Sequence, residues 1–275
     1  MPESRPEPDW SGHSDEVRRI WNTNAEWWDD RIGDGNDFQE MLIEPTTERL
    51  LEIIPGETTV LDVACGAGRF GRRMAQLGAH VVAFDLSERF VARARARTPE
   101  ETANIEYHVA DATREDEMLA FGPGRFDGAV ATMALMDMPA IAPLFRVLRV
   151  LLKPGGWFVF SVMHPCFQPS KVHKFAEAME ADGEYRVETG VKVSHYLTPK
   201  ASKGIGILGQ PEAQFYFHRP LHALLRPGFA EGFTIDALEE PGFGTPPDDR
   251  CYLKWDHMPE IPPVLVLRMR APSSQ

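Results

Sequence analysis

Cysteine is scarce. Cys65, Cys166 and Cys251 are an odd, scattered set in 275 residues, with no CxxC spacing. That excludes a disulfide framework and offers no zinc cage by spacing, so no metal is expected. Long apolar runs are missing too: none approaches the roughly 20 residues of a membrane-spanning helix. The opening MPESRPEPDW is polar and proline-rich, with neither the apolar stretch of a secretory signal nor a lipidation motif. Positive charge is short, with 29 Lys and Arg against 41 Asp and Glu, net −12. A broad nucleic-acid footprint needs the opposite balance, so the bulk electrostatics point away from DNA or RNA. What remains is an ordinary globular composition, 43% hydrophobic and 25% charged, in a chain long enough to bury a large core. The expected compartment is the reducing cytoplasm. Nothing in the sequence sets the oligomeric state.

Residues 1–13 are expected to form a loose leader. From Ser14, the residues Val17, Ile20, Trp21, Asn24 and Trp27/Trp28 recur at helical spacing behind an acidic first turn. After RIGDGND a second helical segment runs from about Phe38 to Ile54, closed by Pro55-Gly56. The rhythm then alternates. TTVLDVAC, HVVAFDLS, IEYHVADA, FDGAVATMA and GWFVFSVM read as strands; RFGRRMAQLG, SERFVARARART and IAPLFRVLRVLL read as helices. Such alternation implies right-handed crossovers and a doubly wound, largely parallel α/β sheet of Rossmann-like class. It stops at His164. Residues 165–219 are mixed and aromatic, with LTPKASKGIGILGQP reading as flexible, before RPLHALLRPGF (helix), FTIDALEE and PPVLVLRMR (strands) restore the pattern. The expected organisation is a core of 14–164 and 220–275, interrupted by a 165–219 insertion. Insertions at strand carboxyl ends overlie the ligand crevice of such sheets, so the insertion is expected to be a lid that binds the acceptor.

VLDVACGAGRFG contains Gly66-x-Gly68-x-x-Gly71 between a strand and a helix, with Asp85 closing the next strand. This is the dinucleotide fingerprint in letter. Asp62, just before the glycines, argues against a pyrophosphate, because it adds negative charge beside a ligand already carrying it. A carboxylate there suits a ligand with cationic groups. S-adenosylmethionine has an ammonium and a sulfonium. Its carboxylate can take loop N–H groups while Asp62 neutralises the ammonium and Asp85 accepts the ribose hydroxyls. Asp111, in VADAT after the third strand, can hold the exocyclic amine of adenine, with Ala112 as backbone donor. Each acid also has a local role open to it: Asp62 bracing the loop, Asp85 capping the next helix, Asp111 making a turn. Three acids at three successive strand ends favour the ligand.

On these residues, and on LKPGGWFVF entering the fifth strand, the chain resembles the class I S-adenosylmethionine-dependent methyltransferases from about Val60 to Phe160. The similarity is to the small-molecule branch related to ubiquinone and menaquinone methyltransferases. The resemblance implies a seven-stranded sheet whose last strand is antiparallel, with N-terminal helices closing over the cofactor. It implies cofactor contacts at Ala64, Gly66, Gly68, Leu86, Met133 and Trp28 beside the three acids and Ala112. Ala64 stands where many members carry glycine. Cys65 reads as a packed small residue, and Trp27 or Trp28 either faces the sulfonium by cation–π attraction or anchors its helix.

Methyl transfer from a sulfonium is an in-line displacement dominated by positioning, and a base is needed only when the acceptor loses a proton. His164, in FSVMHPCF at the end of the fifth strand, is the candidate base, with a turn residue bonded to backbone as the alternative. His173, His195, His218 and His222 read mainly as packing residues. Arg69, Arg72, Arg73, Arg89, Arg93, Arg95 and Arg97 read as solvated helix faces. The expected function is methylation of an oxygen or nitrogen of a small aromatic or hydrophobic metabolite. The alternatives are an RNA or protein methyltransferase, although ATMALMDMP lacks the DPPY or NPPY turn of base-amine enzymes, a nicotinamide oxidoreductase, and a ligand-binding protein without catalysis.

Overall fold

Apolar runs bounded by glycine turns become the central strands of one sheet. The computed structural model describes residues 8–100, 102, 104–167 and 172–273. Five strands run parallel: β1 (Thr59–Val63), β2 (His80–Asp85), β3 (Ile105–Val109), β4 (Phe126–Thr132) and β5 (Leu152–Met163). At the far edge β10 (Thr234–Glu239) and β11 (Val264–Arg270) pair antiparallel, and β11 is antiparallel to β5. The order is β10-β11-β5-β4-β1-β2-β3. The seven-stranded Rossmann-like sheet with an antiparallel last strand is therefore present. Because strand side chains alternate between faces, Leu61, Phe158 and Phe160 feed one apolar layer, and Val60, Trp157 and Val159 feed the other. Helices α3 (Arg69–Gln76), α4 (Glu88–Arg97), α5 (Glu115–Leu119), α6 (Ala142–Leu151) and α7 (Leu221–Ala230) connect the strands. The short α5 has no counterpart in the sequence expectation.

The N-terminal elements are α1 (Ser14–Ile32), then a π-helical turn over Phe38–Ile43 that runs directly into α2 (Glu44–Arg49). The helix expected to reach Ile54 ends earlier, and the Ile54 N–H instead donates to Thr58 Oγ1 at 2.8 Å. Residues 1–7 of the expected loose leader lie outside the described residues. Of the rest, Pro8, Asp9, Ser11 and Gly12 are exposed while Trp10 is buried, its ring 5.2 Å from that of Phe217, with the Arg219 guanidinium over it.

The helix arginines also differ from expectation. Arg93 and Arg97 of α4 converge on the buried Asp29 of α1, while Arg69 and Arg73 of α3 grip Glu44 and Glu48 of α2. They fasten the N-terminal helices to the sheet layer instead of facing solvent alone.

The 165–219 segment forms two antiparallel hairpins, β6 (Val172–Ala181) with β7 (Glu184–Val193), and β8 (Lys200–Gly204) with β9 (Gln214–His218). KASKG, expected as flexible, is strand because it pairs residue for residue with QFYFH. The second hairpin is tied to α1. Arg19 takes Glu212 through both guanidinium nitrogens at 2.6 and 2.7 Å, Lys203 reaches Glu16 at 2.6 Å, and the Asn24 side chain exchanges two hydrogen bonds with the Glu212 backbone. Among the described residues no helix is long and apolar enough to cross a membrane.

Packing over the sheet centre is tight at Gly128, where a Cβ would lie 2.2 Å from the Trp157 indole. The expected outcome for Gly128→Ala is a loss of about 1–3 kcal/mol from overpacking, read as a lower urea midpoint; an unchanged midpoint would show that the indole swings aside freely.

Candidate active site

The turn from β1 into α3 is built for close approach. Ala64, Gly66 and Gly68 have φ of 54°, 54° and 75°. Left-handed backbone costs alanine roughly 1 kcal/mol, so the surroundings hold Ala64 there. The loop hangs from β2: the Cys65 N–H donates to the Phe84 carbonyl, and the Gly66 N–H donates to Asp85 Oδ2, both at 2.9 Å. Asp85 Oδ1 accepts the Ser87 N–H at 2.8 Å, and Ser87, not Asp85, caps α4.

Above this loop lies a cavity of about 1120 Å³, its open mouth included. The floor is Ala64, Cys65, Gly66 and Asp85 from the carboxyl ends of β1 and β2; Met133 and Asp137, beyond β4, form one side. Trp21 and Trp28 of α1, with Gln39 of the π-helical turn, form the roof. A smaller cleft adjoins it, lined by Asp111 and Ala112 after β3 and sharing Ala64, Leu86, Asp137 and Met138 with the main cavity. Asp111 Oδ1 accepts from the Thr113 backbone and hydroxyl, and its Oδ2 meets Arg18 of α1 at 3.2 Å.

Of the sequence-derived contacts, Ala64, Gly66, Asp85, Leu86, Met133 and Trp28 thus line the main cavity, and Asp111 and Ala112 line its extension. Two do not. Gly68 is not part of the lining; its φ is left-handed and a Cβ there would lie 2.5 Å from the Tyr107 hydroxyl of β3. Asp62 lies beneath the loop, 1% exposed, with both carboxyl oxygens unpartnered. Cys65 is a packed thiol, and burial together with Asp62 and Asp85 pushes its ionisation well above the usual range.

His164 is 2% exposed and lines no part of either cavity or cleft described above. Its Nδ1 accepts the Cys166 N–H at 3.2 Å, so Nε2 carries the proton and donates to Glu240 at 2.8 Å. Burial pushes its pKa down. Both ring nitrogens are engaged in fastening the end of β5 to the segment after β10, the arrangement of the turn-residue alternative. No residue of 172–218 lines the main cavity.

Beside the expected Trp28, Gln39 and Asp137 escaped the sequence reading. Buried polar atoms almost always find partners, yet Trp28 Nε1, Gln39 Oε1 and Asp137 Oδ1 have none and all three residues line the cavity. Asp137 had a visible signal, one acid amid the apolar ALMDMP. Desolvation raises Asp62 to about 7, helped by Asp85 and opposed by Arg72; it raises Asp85 to about 6 against two backbone hydrogen bonds.

Folded Asp62 holds its proton up to about pH 7, whereas an unfolded aspartate releases it near pH 4. Ionisation therefore erodes stability across that window, by about 4 kcal/mol in full. The expected outcome for Asp62→Asn is a protein more stable than the parent, with a gain that grows from pH 5 to pH 8. Urea unfolding at the two values checks it; a gain independent of pH would mean that Asp62 is not buried as an acid.

A family profile described as a methyltransferase domain matches residues 60–156. The chain is 31% identical over 151 residues to a ubiquinone biosynthesis O-methyltransferase of Paraburkholderia xenovorans, covering 55% of this chain and 60% of that protein. A namesake from Bordetella pertussis is 30% identical over 153 residues, covering 54% and 61%. The chain thus spans about 60% of the length of these relatives. A solved S-adenosylmethionine-dependent methyltransferase from Mesorhizobium loti superposes with a TM-score of 0.63 at 28% identity, covering 86% of this chain and 99% of that one. Residues 60–156 thus match a methyltransferase domain, and the chain is similar to S-adenosylmethionine-dependent methyltransferases, ubiquinone biosynthesis O-methyltransferases among them.

Proposed function

We propose that the protein is a cytoplasmic enzyme that transfers the methyl group of S-adenosylmethionine to an oxygen or nitrogen of a small aromatic or hydrophobic metabolite, and does not act on nucleic acid. The observation that carries this reading is the acidic floor at the strand ends. Asp62 is buried without a hydrogen-bond partner, Asp85 borders the cavity, and Asp111 lines the cleft beside it. A phosphate-bearing dinucleotide fits this floor poorly. A ligand with cationic and hydroxyl groups fits it well, because unpaired buried carboxyls gain most from such partners.

Asp62 would hold the ammonium from beneath the loop, Ala64 and Gly66 would bring backbone N–H groups to the carboxylate, and Asp85 with Leu86 would take the ribose. Asp111 and Ala112 would take the adenine in the cleft, where Arg18 now pairs with Asp111. The bound cofactor supplies an activated methyl; the protein supplies alignment and a dry wall. That wall is aromatic: Trp21 and Trp28 meet edge-to-face at 5.7 Å and Phe90 stands beside them, which suits a sulfonium and a planar acceptor alike. The relatives' O-methyltransferase names support oxygen as the reacting atom.

The 165–219 segment is proposed to serve the acceptor. A second cavity of about 930 Å³ lies between Met163 at the end of β5, Leu224 of α7 and Tyr216 and Phe217 of β9. The turn carrying Leu135 and Met136 lines this cavity, and the next residue, Asp137, lines the main one. It could house the apolar remainder of an acceptor.

Calorimetric titration with S-adenosylhomocysteine tests the cofactor. Saturable binding is expected, with none for NADH; the reverse pattern would overturn the reading in favour of an oxidoreductase. Asp85→Ala is expected to weaken S-adenosylhomocysteine by about 1.5–3 kcal/mol through lost charge-assisted hydrogen bonds, and an unaltered dissociation constant would remove Asp85 from the site.

A further inference from the structure

Among the described residues, Asp137 is the one acid of the main cavity that neither a backbone N–H nor an ion-paired guanidinium holds; the Arg219 guanidinium, at the same turn, binds the Leu135, Met138 and Pro139 carbonyls. It follows β4 on a short 3₁₀ turn (Leu135–Asp137), buried, and lines both the main cavity and the adenine-side cleft. One oxygen is held by Gln214 of β9, and Oδ1 is buried and unpartnered. Burial pushes its carboxyl well above the usual range against the Gln214 hydrogen bond, and its proximity adds to the burial that pushes the Tyr216 hydroxyl up.

The other titratable groups around the cavity are committed elsewhere. Asp29 of α1 is bound by Arg93 and Arg97, Glu44 of α2 by Arg69, and Asp85 of β2 by the Gly66 and Ser87 N–H groups. The Cys65 thiol resists ionisation, and His164 is outside the cavity. Gln39 and Trp28, though unpartnered, accept no proton at these pH values.

We propose that Asp137 faces the sulfonium of the bound cofactor and is the proton acceptor of methyl transfer. This rests on the methyltransferase reading above. Beside a sulfonium the carboxyl gives up its proton, since an opposite charge in a low-dielectric site favours ionisation. In the transfer the S–CH₃ bond breaks with its electron pair left on sulfur, and an O–CH₃ or N–CH₃ bond forms on the acceptor. The acceptor's O–H or N–H proton passes to Asp137 Oδ1. The sums balance: a cationic cofactor, a neutral acceptor and a carboxylate become neutral S-adenosylhomocysteine, neutral methylated product and a carboxylic acid. Loss of the sulfonium charge restores the proton affinity of Asp137 as the acceptor becomes acidic, so the two transfers assist one another.

Proton counting by calorimetry tests this without knowledge of the acceptor. S-adenosylmethionine and S-adenosylhomocysteine are titrated at pH 7 into the full chain and into Asp137→Asn, each in two buffers of different ionisation enthalpy. The unaltered protein is expected to release about one more proton with S-adenosylmethionine than with S-adenosylhomocysteine, and Asp137→Asn is expected to abolish the difference while still binding both. Equal proton counts in the unaltered protein overturn the proposal by themselves, whether or not the variant folds. So does a difference that survives in the variant. If neither ligand binds the unaltered protein, the cofactor reading falls and takes this one with it.

Discussion

Buried carboxyl groups without a bonded cation are the constraint around which this molecule is organised. Asp62 and Asp137 each bury an acid that no guanidinium or ammonium contacts directly, and Asp85 relies on two amide N–H groups. An arrangement of this kind weakens the empty protein and strengthens any complex with a cation, which is the expected conflict between stability and activity. The sheet tolerates it because β1 and β4 are apolar on both faces and flanked by paired neighbours. The core elsewhere outweighs the strand-end penalty.

The roof is held by a different kind of force. Neither α1 nor α2 belongs to the alternating core, and each is fastened to the helix beneath by arginine–carboxylate pairs. Most of these pairs are part-exposed and individually modest. Asp29 is the exception, fully buried at the meeting of two guanidinium groups. Removing one partner of a buried charge cluster leaves the rest uncompensated, so this cluster sets where Trp21 and Trp28 lie over the cavity.

The core was legible because its signals are local. Five apolar runs, a glycine loop and three acids at strand ends each occupy a few adjacent residues, and period-two alternation assigns them to faces. Gly66 and Asp85 follow from that pattern, Ala64 and Leu86 from the family resemblance, and all four border the cavity. The residues with unforeseen contacts depend on distant partners. His164 looked available because Glu240, 76 positions later, was invisible to it. Trp10 looked loose without Phe217, KASKG looked flexible without QFYFH, and the helix arginines looked solvated without Asp29 and Glu44. Gly68 carries constraints that the motif alone does not show: a left-handed φ and the nearby Tyr107 hydroxyl both exclude a side chain there. Asp137 was readable as an oddity in an apolar turn, though its isolation became evident only with every neighbour in place.

The clasp between α1 and the β8–β9 hairpin joins residues 188 and 193 positions apart with two unlike fasteners. Arg19 with Glu212 lies at the rim, where dissolved ions compete for both partners, whereas the reciprocal amide pairing at Asn24 is buried and indifferent to them. The roof of the main cavity and the wall of the neighbouring apolar chamber are consequently one mechanical unit. Brine would slacken its outer buckle while leaving its inner hinge pin seated.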